Sequence, residues 1–256
     1  MSQKSTSPFL QSVAEYAAFN RAEKEIASSL THQSIERAQN LIYELLTTNP
    51  DFYICSKQDE NFCSNFYKQH SEHIHYYNTL LGGLERKYNT SQNVAWFQIM
   101  CADFPKNTEG YAFKMYKTLD IKWLNVLNFH AIDWLYRRLQ EVGNSFQSRI
   151  SFKIPSNFVA LAAHNDRLVI HFSDSRCISE IQKILDEWEK KMGVPMLERH
   201  YLRTEVAMDQ KGTSFSDLIA RHYAMELATG MYSVGDILRG AIAASSKPGF
   251  IMETSS

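Results

Sequence analysis

The sequence predicts an α+β fold, in which a helical N-terminal region is followed by a mostly antiparallel sheet packed with two or more long helices. Three observations predict it. Apolar residues recur at helical spacing from residue 9 to about 81. From residue 93 onward, short runs rich in β-forming residues take over, and several alternate between apolar and polar positions. Amphipathic helical patterns over 120–142 and 178–192 interrupt these runs.

The N-terminal region is predicted to hold three helices. The second ends at Asn49-Pro50, because the residue before a proline avoids the helical conformation. Asp51 to Glu60 is interpreted as a linker. The third helix is predicted over 61–81, with Gly82-Gly83 as its C-terminal stop.

The remainder is predicted to alternate between strands and helices. Asp120 is expected to cap a helix that ends at Gly143-Asn144, and Gly193 to end the helix over 178–192. Ser214 and Asp217 form a capping pattern at the start of a further helix, and a last helix is expected over 234–244. The predicted strands are 93–102, 111–119, a three-stranded meander of 151–154, 158–163 and 166–172, and 201–208.

Composition limits the classes of partner. The 256 residues include 27 Lys plus Arg against 28 Asp plus Glu, a net charge of −1, so nothing indicates a general affinity for nucleic acid or an anionic membrane. No run is apolar enough to predict a membrane span, and no secretory signal is recognisable. The four cysteines form no CxxC pair and are interpreted as free thiols. Any basic site must therefore be a local pocket.

Basic residues in strand-like runs are the first candidates for chemistry. Alternation over 111–119 places Lys114 and Tyr116 on one face of a strand and apolar residues on the other. Lys153 lies in a second alternating run, and Arg203 in a third β-like segment. Each of the three cations either points to solvent from a half-exposed sheet or contributes to a pocket for an anion such as phosphate. In such a pocket a lysine beside other cations can also act as a base.

Other site classes have less support. His70, His73 and His75 lie on the third predicted helix, where two of them could share a face, but the spacing is not HExxH and a solvated polar face is the preferred interpretation. No metal site and no cofactor are predicted. The chain also contains no Gly-rich phosphate loop, no GxSxG elbow and no dinucleotide fingerprint.

Several motifs in a fixed order resemble a known family. FKI at 152–154, DRLVIHF at 166–172, ISEIQKILDEWEKKMGVP at 178–195 and HYLRTEVAMDQKGTSFSDLIAR at 200–221 resemble the C-terminal domain of HopA-type effectors of bacterial type III secretion. Similar domains occur in gene clusters for class V lanthipeptides and thioamitides, and both are distantly related to phosphothreonine lyases. The resemblance covers residues 90–250, with 1–89 matching only as a helical region, and the two parts are expected to form one compact unit.

The resemblance implies a metal-free β-elimination. Lys153 would remove the α-proton of a phosphoserine or phosphothreonine, Lys114 and Arg203 would hold the phosphate, and Tyr116 would protonate the leaving group. Tyr116 stands where the lyases carry histidine. His171 stands where an aromatic residue is usual, and His164 lies near a position that is basic in relatives; these two histidines are either substitutes for family residues or ordinary turn and strand residues.

Three functions stay open at this point. The first is a lyase that acts on a peptide phosphorylated by a separate kinase, in the bacterial cytoplasm, as in lanthipeptide biosynthesis; the short polar N-terminus favours this expectation over a secreted effector. The second is a non-catalytic effector, secreted into a host cell, that binds a phosphorylated protein. The third is a scaffold with no phosphate site. No nucleic acid and no membrane partner are expected.

Overall fold

The computed structural model describes residues 13–30, 35–58, 61–104, 113–119, 127–194, 196–197, 206–208 and 214–245. Its elements confirm the α+β class, with helices at the N-terminus and an antiparallel sheet after them. The helices are α1 Val13–Leu30, α2 Ile35–Thr47, α3 Pro50–Gln58, α4 Phe62–Gln69, α5 Ser71–Lys87, α6 Phe129–Phe146, α7 Phe158–Ala163, α8 Ile178–Met192, α9 Phe215–Ala228 and α10 Val234–Ser245. The strands are β1 Thr90–Gln92, β2 Trp96–Ala102, β3 Phe113–Leu119, β4 Ile150–Pro155, β5 Leu168–Phe172, β6 Met196–Leu197 and β7 Val206–Met208.

These elements fall into two compact units. The first unit contains α1, α2, α3, α9 and α10, and the second contains the elements from α4 to β7. The predicted division of the chain at residues 89 and 90 stays a prediction. None of the described helices is long and apolar enough to cross a bilayer.

In the first unit, α2 packs against α9 and α1, and α9 packs against α10. The predicted cap at Ser214 is present: its hydroxyl accepts a hydrogen bond of 3.2 Å from the backbone N–H of Asp217. The Asp217 carboxylate in turn accepts a bond of 3.0 Å from the Gln39 side chain on α2. The capping residues therefore also join two helices.

In the second unit, one antiparallel sheet carries the strands in the order β1-β2-β4-β5-β3-β6, with β7 also paired to β3. One face of this sheet is apolar and contributes to the core with α6 and α8. Trp188 on α8 is fully buried, and its indole N–H donates a hydrogen bond of 2.8 Å to the Ala131 carbonyl on α6. The residues of the apolar face are Phe97, Ile99, Cys101, Met115, Leu119, Ile150, Phe152, Ile154, Leu168, Ile170 and Phe172.

The predicted middle strand of the meander, 158–163, is wrong: the segment forms α7. A short apolar run does not distinguish a buried strand from a buried helix. The deciding residue is Asn157, whose side chain accepts a hydrogen bond of 2.8 Å from the backbone N–H of Ala160 and so caps the helix. The two flanking strands are present, and they pair directly as β4 and β5.

Several N-terminal boundaries also differ from the prediction. The expected linker over 51–60 is largely α3, which begins at Pro50, because proline is well suited to the first turn of a helix. The expected third helix is two helices, α4 and α5, which meet at His70. Gly82-Gly83 does not end α5, which continues to Lys87.

Further differences lie in the second unit. Helix α6 begins after Asn128, whose side chain caps it, while the predicted cap Asp120 lies outside the described residues. It ends at Phe146, beyond the predicted stop at Gly143-Asn144. Strands β1 and β6 were not predicted, and of the predicted strand 201–208 only 206–208 are described. By contrast, α8 and its left-handed C-cap at Gly193 match the prediction.

Gly143 allows α6 to approach β2 closely, which generates a test of the packing. A Cβ at this position would lie 2.4 Å from the Cβ of Ala102 and 3.1 Å from the Ser148 carbonyl oxygen. We expect Gly143→Ala to destabilise the protein by about 1–3 kcal/mol in urea unfolding, because overpacking outweighs the gain in helix propensity.

Gly82→Ala is the matched control. Among the described residues, its Cβ in the interior of α5 would meet the Arg86 guanidinium alone, at 3.8 Å. We expect a gain of about 0.5–1 kcal/mol from helix propensity alone. Equal effects of the two substitutions would contradict the close approach at Gly143.

Candidate functional site

The face of the sheet opposite the core carries the predicted site residues. In antiparallel pairs, residues directly opposite one another point to the same face. Lys114 on β3 is opposite His171 on β5, and His171 is opposite Ser151 on β4. One step along the strands, Tyr116 is opposite Val169, which is opposite Lys153. The register therefore places Lys114, Tyr116, Lys153 and His171 on one face, which we call the basic face.

Burial differs across the basic face. Lys114, Tyr116 and His171 are 7%, 6% and 7% exposed, whereas Lys153 is half-buried. Burying an ammonium group is costly, so a buried lysine on a sheet indicates a specific environment and not a solvated surface. The interpretation of Lys114 as a solvent-facing residue is therefore wrong.

The charges of both lysines act on His171. Burial, the charge of Lys153 and the charge of Lys114, in that order of size, lower the pKa of His171 from its usual 6.5 to about 2. The imidazole is accordingly neutral at physiological pH. Both ammonium groups therefore lie close enough to the His171 ring for their charges to act on it.

Lys153 also contacts an aromatic residue that was not predicted for the site. Its Nζ lies 5.2 Å from the centroid of the Trp96 ring, a cation–π distance. The Trp96 ring stacks on His164 with centroids 4.8 Å apart. Burial lowers the pKa of His164. The charge of Asp166 opposes this shift, while the charges of Arg167 and Lys153 add to it. Trp96 and His164 thus lie beside Lys153, the half-buried residue of the basic face.

Buried polar contacts fix the C-terminal end of β3. The Thr118 hydroxyl donates a hydrogen bond of 2.7 Å to the Asn165 carbonyl. The guanidinium of Arg167 donates to the carbonyls of Leu161 and Leu119, at 2.7 and 2.5 Å. Arg167 is 3% exposed, so it serves here as a structural link between the end of α7 and the end of β3.

The structure brings together five of the six predicted residues. Four of them, Lys114, Tyr116, Lys153 and His171, share the basic face. The fifth, His164, stacks on the Trp96 ring, which Lys153 also contacts. The sixth, Arg203, lies outside the described residues, so its place as a phosphate ligand stays a prediction.

Sequence reasoning missed Trp96, Gln98 and Ser151. Gln98 is opposite Lys153 in the register, and its side-chain amide donates a hydrogen bond of 2.8 Å to the Ser151 hydroxyl. Alternation in WFQIMCA does separate Trp96 and Gln98 from the apolar Phe97 and Ile99. What the sequence lacks is the register that places β2 beside β4.

The histidines near residue 70 pack against aromatic rings. The His70 ring lies 4.5 Å from Phe66 and 5.5 Å from Phe158, and the His73 ring stacks on Phe158 at 5.8 Å. These contacts link α4, α5 and α7. Within the described ranges, no three His, Cys, Asp or Glu side chains group closely enough to hold a metal ion.

Comparisons with known proteins return little. No protein-family model matches the chain, and no curated protein matches it. Among solved structures, it is similar to the effector protein from Pseudomonas syringae pv. syringae strain 61, at 13% sequence identity and a TM-score of 0.46. The likeness covers 93% of this chain and 96% of that chain.

The neutral state of His171 predicts how stability depends on pH. An unfolded histidine takes up a proton near pH 6.5, while folded His171 takes one up only near pH 2. The unfolded chain therefore binds more protons between these values, and stability is lost as the pH falls below 6.5. We expect His171 to contribute a loss of about 2 kcal/mol in the free energy of unfolding between pH 7 and pH 5.

The measurement is urea unfolding of the wild type and His171→Gln at both pH values. The variant should lose much less stability on acidification than the wild type does. His75→Gln, at an exposed position on α5, is the control and should retain the wild-type dependence. If His171→Gln and wild type respond equally to pH, the histidine is not held neutral in the fold.

Proposed function

We propose that the basic face binds the phosphate of a phosphoserine or phosphothreonine peptide and eliminates it, leaving a dehydroamino acid. The observation that carries this proposal is the common face of Lys114, Tyr116 and Lys153, with both lysines acting on His171. The net charge of the chain is −1, so this concentration of positive charge is local. A dianionic phosphate is the ligand that such a site favours most among common peptide modifications.

The spacing of the side chains suits an elimination. Lys153 and Tyr116 lie on strands that are both neighbours of β5, so their backbones are about 10 Å apart, at about 4.8 Å per strand. Long side chains from these two positions can approach a phosphorylated residue from two sides. Lys114 is one row along from Tyr116 on the same face and is in reach of the same phosphate.

The proposed reaction needs no cofactor. The neutral amine of Lys153 takes the α-proton, and the electrons of the Cα–H bond form the Cα=Cβ double bond as the Cβ–O bond breaks. Phosphate leaves with the electrons of the Cβ–O bond, and Tyr116 donates a proton to it. Lys114, with Arg203 in the predicted role, stabilises the charge that develops on the leaving phosphate.

A second function, phosphopeptide binding without elimination, is favoured by one contact. The Lys153 ammonium lies over the Trp96 ring, and a ring face attracts the charged form of lysine, which binds an anion but cannot take a proton. In this function the protein is a HopA-like effector or phosphoprotein-binding module. The lyase would act in a bacterial cytoplasm on the product of a partner kinase, whereas the binding module would act on host proteins after secretion.

The first test is elimination by the purified protein. A synthetic phosphothreonine peptide should lose the mass of phosphoric acid, as measured by mass spectrometry. Lys153→Ala should lower the rate by about 100-fold or more, as expected for loss of a general base. Lys190→Ala, which removes an exposed lysine on α8, should leave the rate unchanged. Full activity in Lys153→Ala would exclude the proposed base.

The second test is phosphate-dependent binding. Fluorescence anisotropy with labelled peptides should show tighter binding of the phosphorylated than of the unphosphorylated peptide. Lys114→Met should weaken this binding by about 10-fold or more, because a charge-assisted hydrogen bond contributes about 1.5–3 kcal/mol. Lys114→Arg, which retains the charge, should weaken it less, and circular dichroism checks that both variants fold. Binding without loss of phosphate selects the binding module, and equal affinity for both peptides contradicts both functions.

A further inference from the structure

A second candidate site lies in the first unit, between α9 and α10. A cavity of about 400 Å³ opens there, lined by His222, Tyr223, Glu226, Tyr232, Asp236 and Ile237. Its size is within the range of pockets that bind small ligands or single side chains. Two phenol rings, one imidazole and two carboxylates meet in this space, a composition suited to an organic cation.

One wall of the cavity is held in place by close packing. A Cβ added at Gly240 on α10 would lie 2.6 Å from Cε1 and 3.1 Å from Cζ of Tyr223 on α9. The Tyr223 ring therefore lies against the bare backbone of Gly240. The His222 ring also meets the Tyr223 ring edge-on, at 5.0 Å between centroids. The aromatic wall is thus formed before any ligand binds.

The two carboxylates differ in their partners. Asp236 accepts hydrogen bonds of 2.6 Å from the Ser233 hydroxyl and 2.6 Å from the Arg239 guanidinium. The half-buried Glu226 carboxylate, in contrast, has no hydrogen bond or ion pair with the part of the chain that the structure describes. Burial and, second, the charge of Glu226 raise the pKa of Tyr223, so this negative charge acts on the aromatic wall.

Exposed apolar residues adjoin two lining residues along the chain: Met225 precedes Glu226, and Met231 precedes Tyr232. Met231 is 72% exposed, Met225 55% and Tyr232 51%. Met231 and Tyr232 belong to a turn that is well held: Gly230 adopts a left-handed φ of 70°, and the Thr229 hydroxyl donates 2.7 Å to the Glu226 carbonyl. Exposed methionine and tyrosine next to residues of a charged cavity are typical of protein-binding surfaces.

We propose that this cavity binds an arginine side chain of a partner protein. The planar guanidinium would pair with the Glu226 carboxylate and stack on Tyr223 and Tyr232, while the methionines contact the neighbouring residues of the partner. Arginine fits better than lysine, because a flat guanidinium can pair with a carboxylate and stack on rings at once. The proposal does not depend on the basic face or on the function proposed for it.

The test uses the full chain labelled with ¹³C in the methionine methyl groups. The probe is N-acetyl-arginine N-methylamide, and the matched ligand is the citrulline analogue, which has the same shape and no charge. We expect the arginine probe, at millimolar concentration, to shift the Met225 and Met231 methyl signals saturably, and the citrulline analogue to bind at least 10-fold more weakly. Met→Leu variants assign the two signals.

Variants localise the effect. Glu226→Gln should weaken binding of the probe by about 10-fold, and Gly240→Ala should weaken it by displacing Tyr223. Glu36→Gln, which removes an exposed glutamate on α2 of the same unit, should leave binding unchanged. Equal binding of arginine and citrulline probes, an unchanged affinity in Glu226→Gln, or no saturable shift at all would each overturn the proposal.

Discussion

The antiparallel register of β4, β5 and β3 is the constraint on which the core and the candidate site both depend. The pleat sends alternate residues to opposite faces, so one register buries Phe152, Ile170 and Met115 and collects Lys153, His171 and Lys114 on the other side. A slip of one residue would place the lysines in the apolar core. The free energy of burying the apolar face therefore also determines where the charges stand.

Alternation along one strand was readable from the sequence, and pairing between strands was not. The pattern in 111–119 predicts correctly that Lys114 and Tyr116 share a face, because this depends only on the period of a strand. The proximity of Trp96 to Lys153 depends on which strands are neighbours and in which register. These are long-range properties that residue spacing within one strand does not contain.

Helix boundaries show the same division between local and long-range causes. Gly193 ends α8 through its own left-handed conformation, and Ser214 caps α9 through the backbone N–H of Asp217 three positions on; both causes are local, and both predictions are correct. Gly82 and Gly143 look like helix ends, yet both lie inside helices. For Gly143 the cause is tertiary: α6 meets Ala102 so closely that no side chain fits. A glycine in sequence does not reveal whether it serves a turn or a close approach.

The charge of Lys153 is the point at which the two proposed functions separate physically. A base must be neutral before it takes a proton, and the contact with Trp96 favours the ammonium form. Lys114 on the same face acts in the opposite direction, since like charge disfavours a second cation. A bound phosphate would strengthen the ammonium form again. Elimination at this site therefore requires that the substrate move Lys153 away from Trp96 and toward the α-carbon. Binding alone requires no such movement. Loss of the contact between Lys153 and the indole ring is thus the structural step that distinguishes a lyase from a phosphopeptide-binding module.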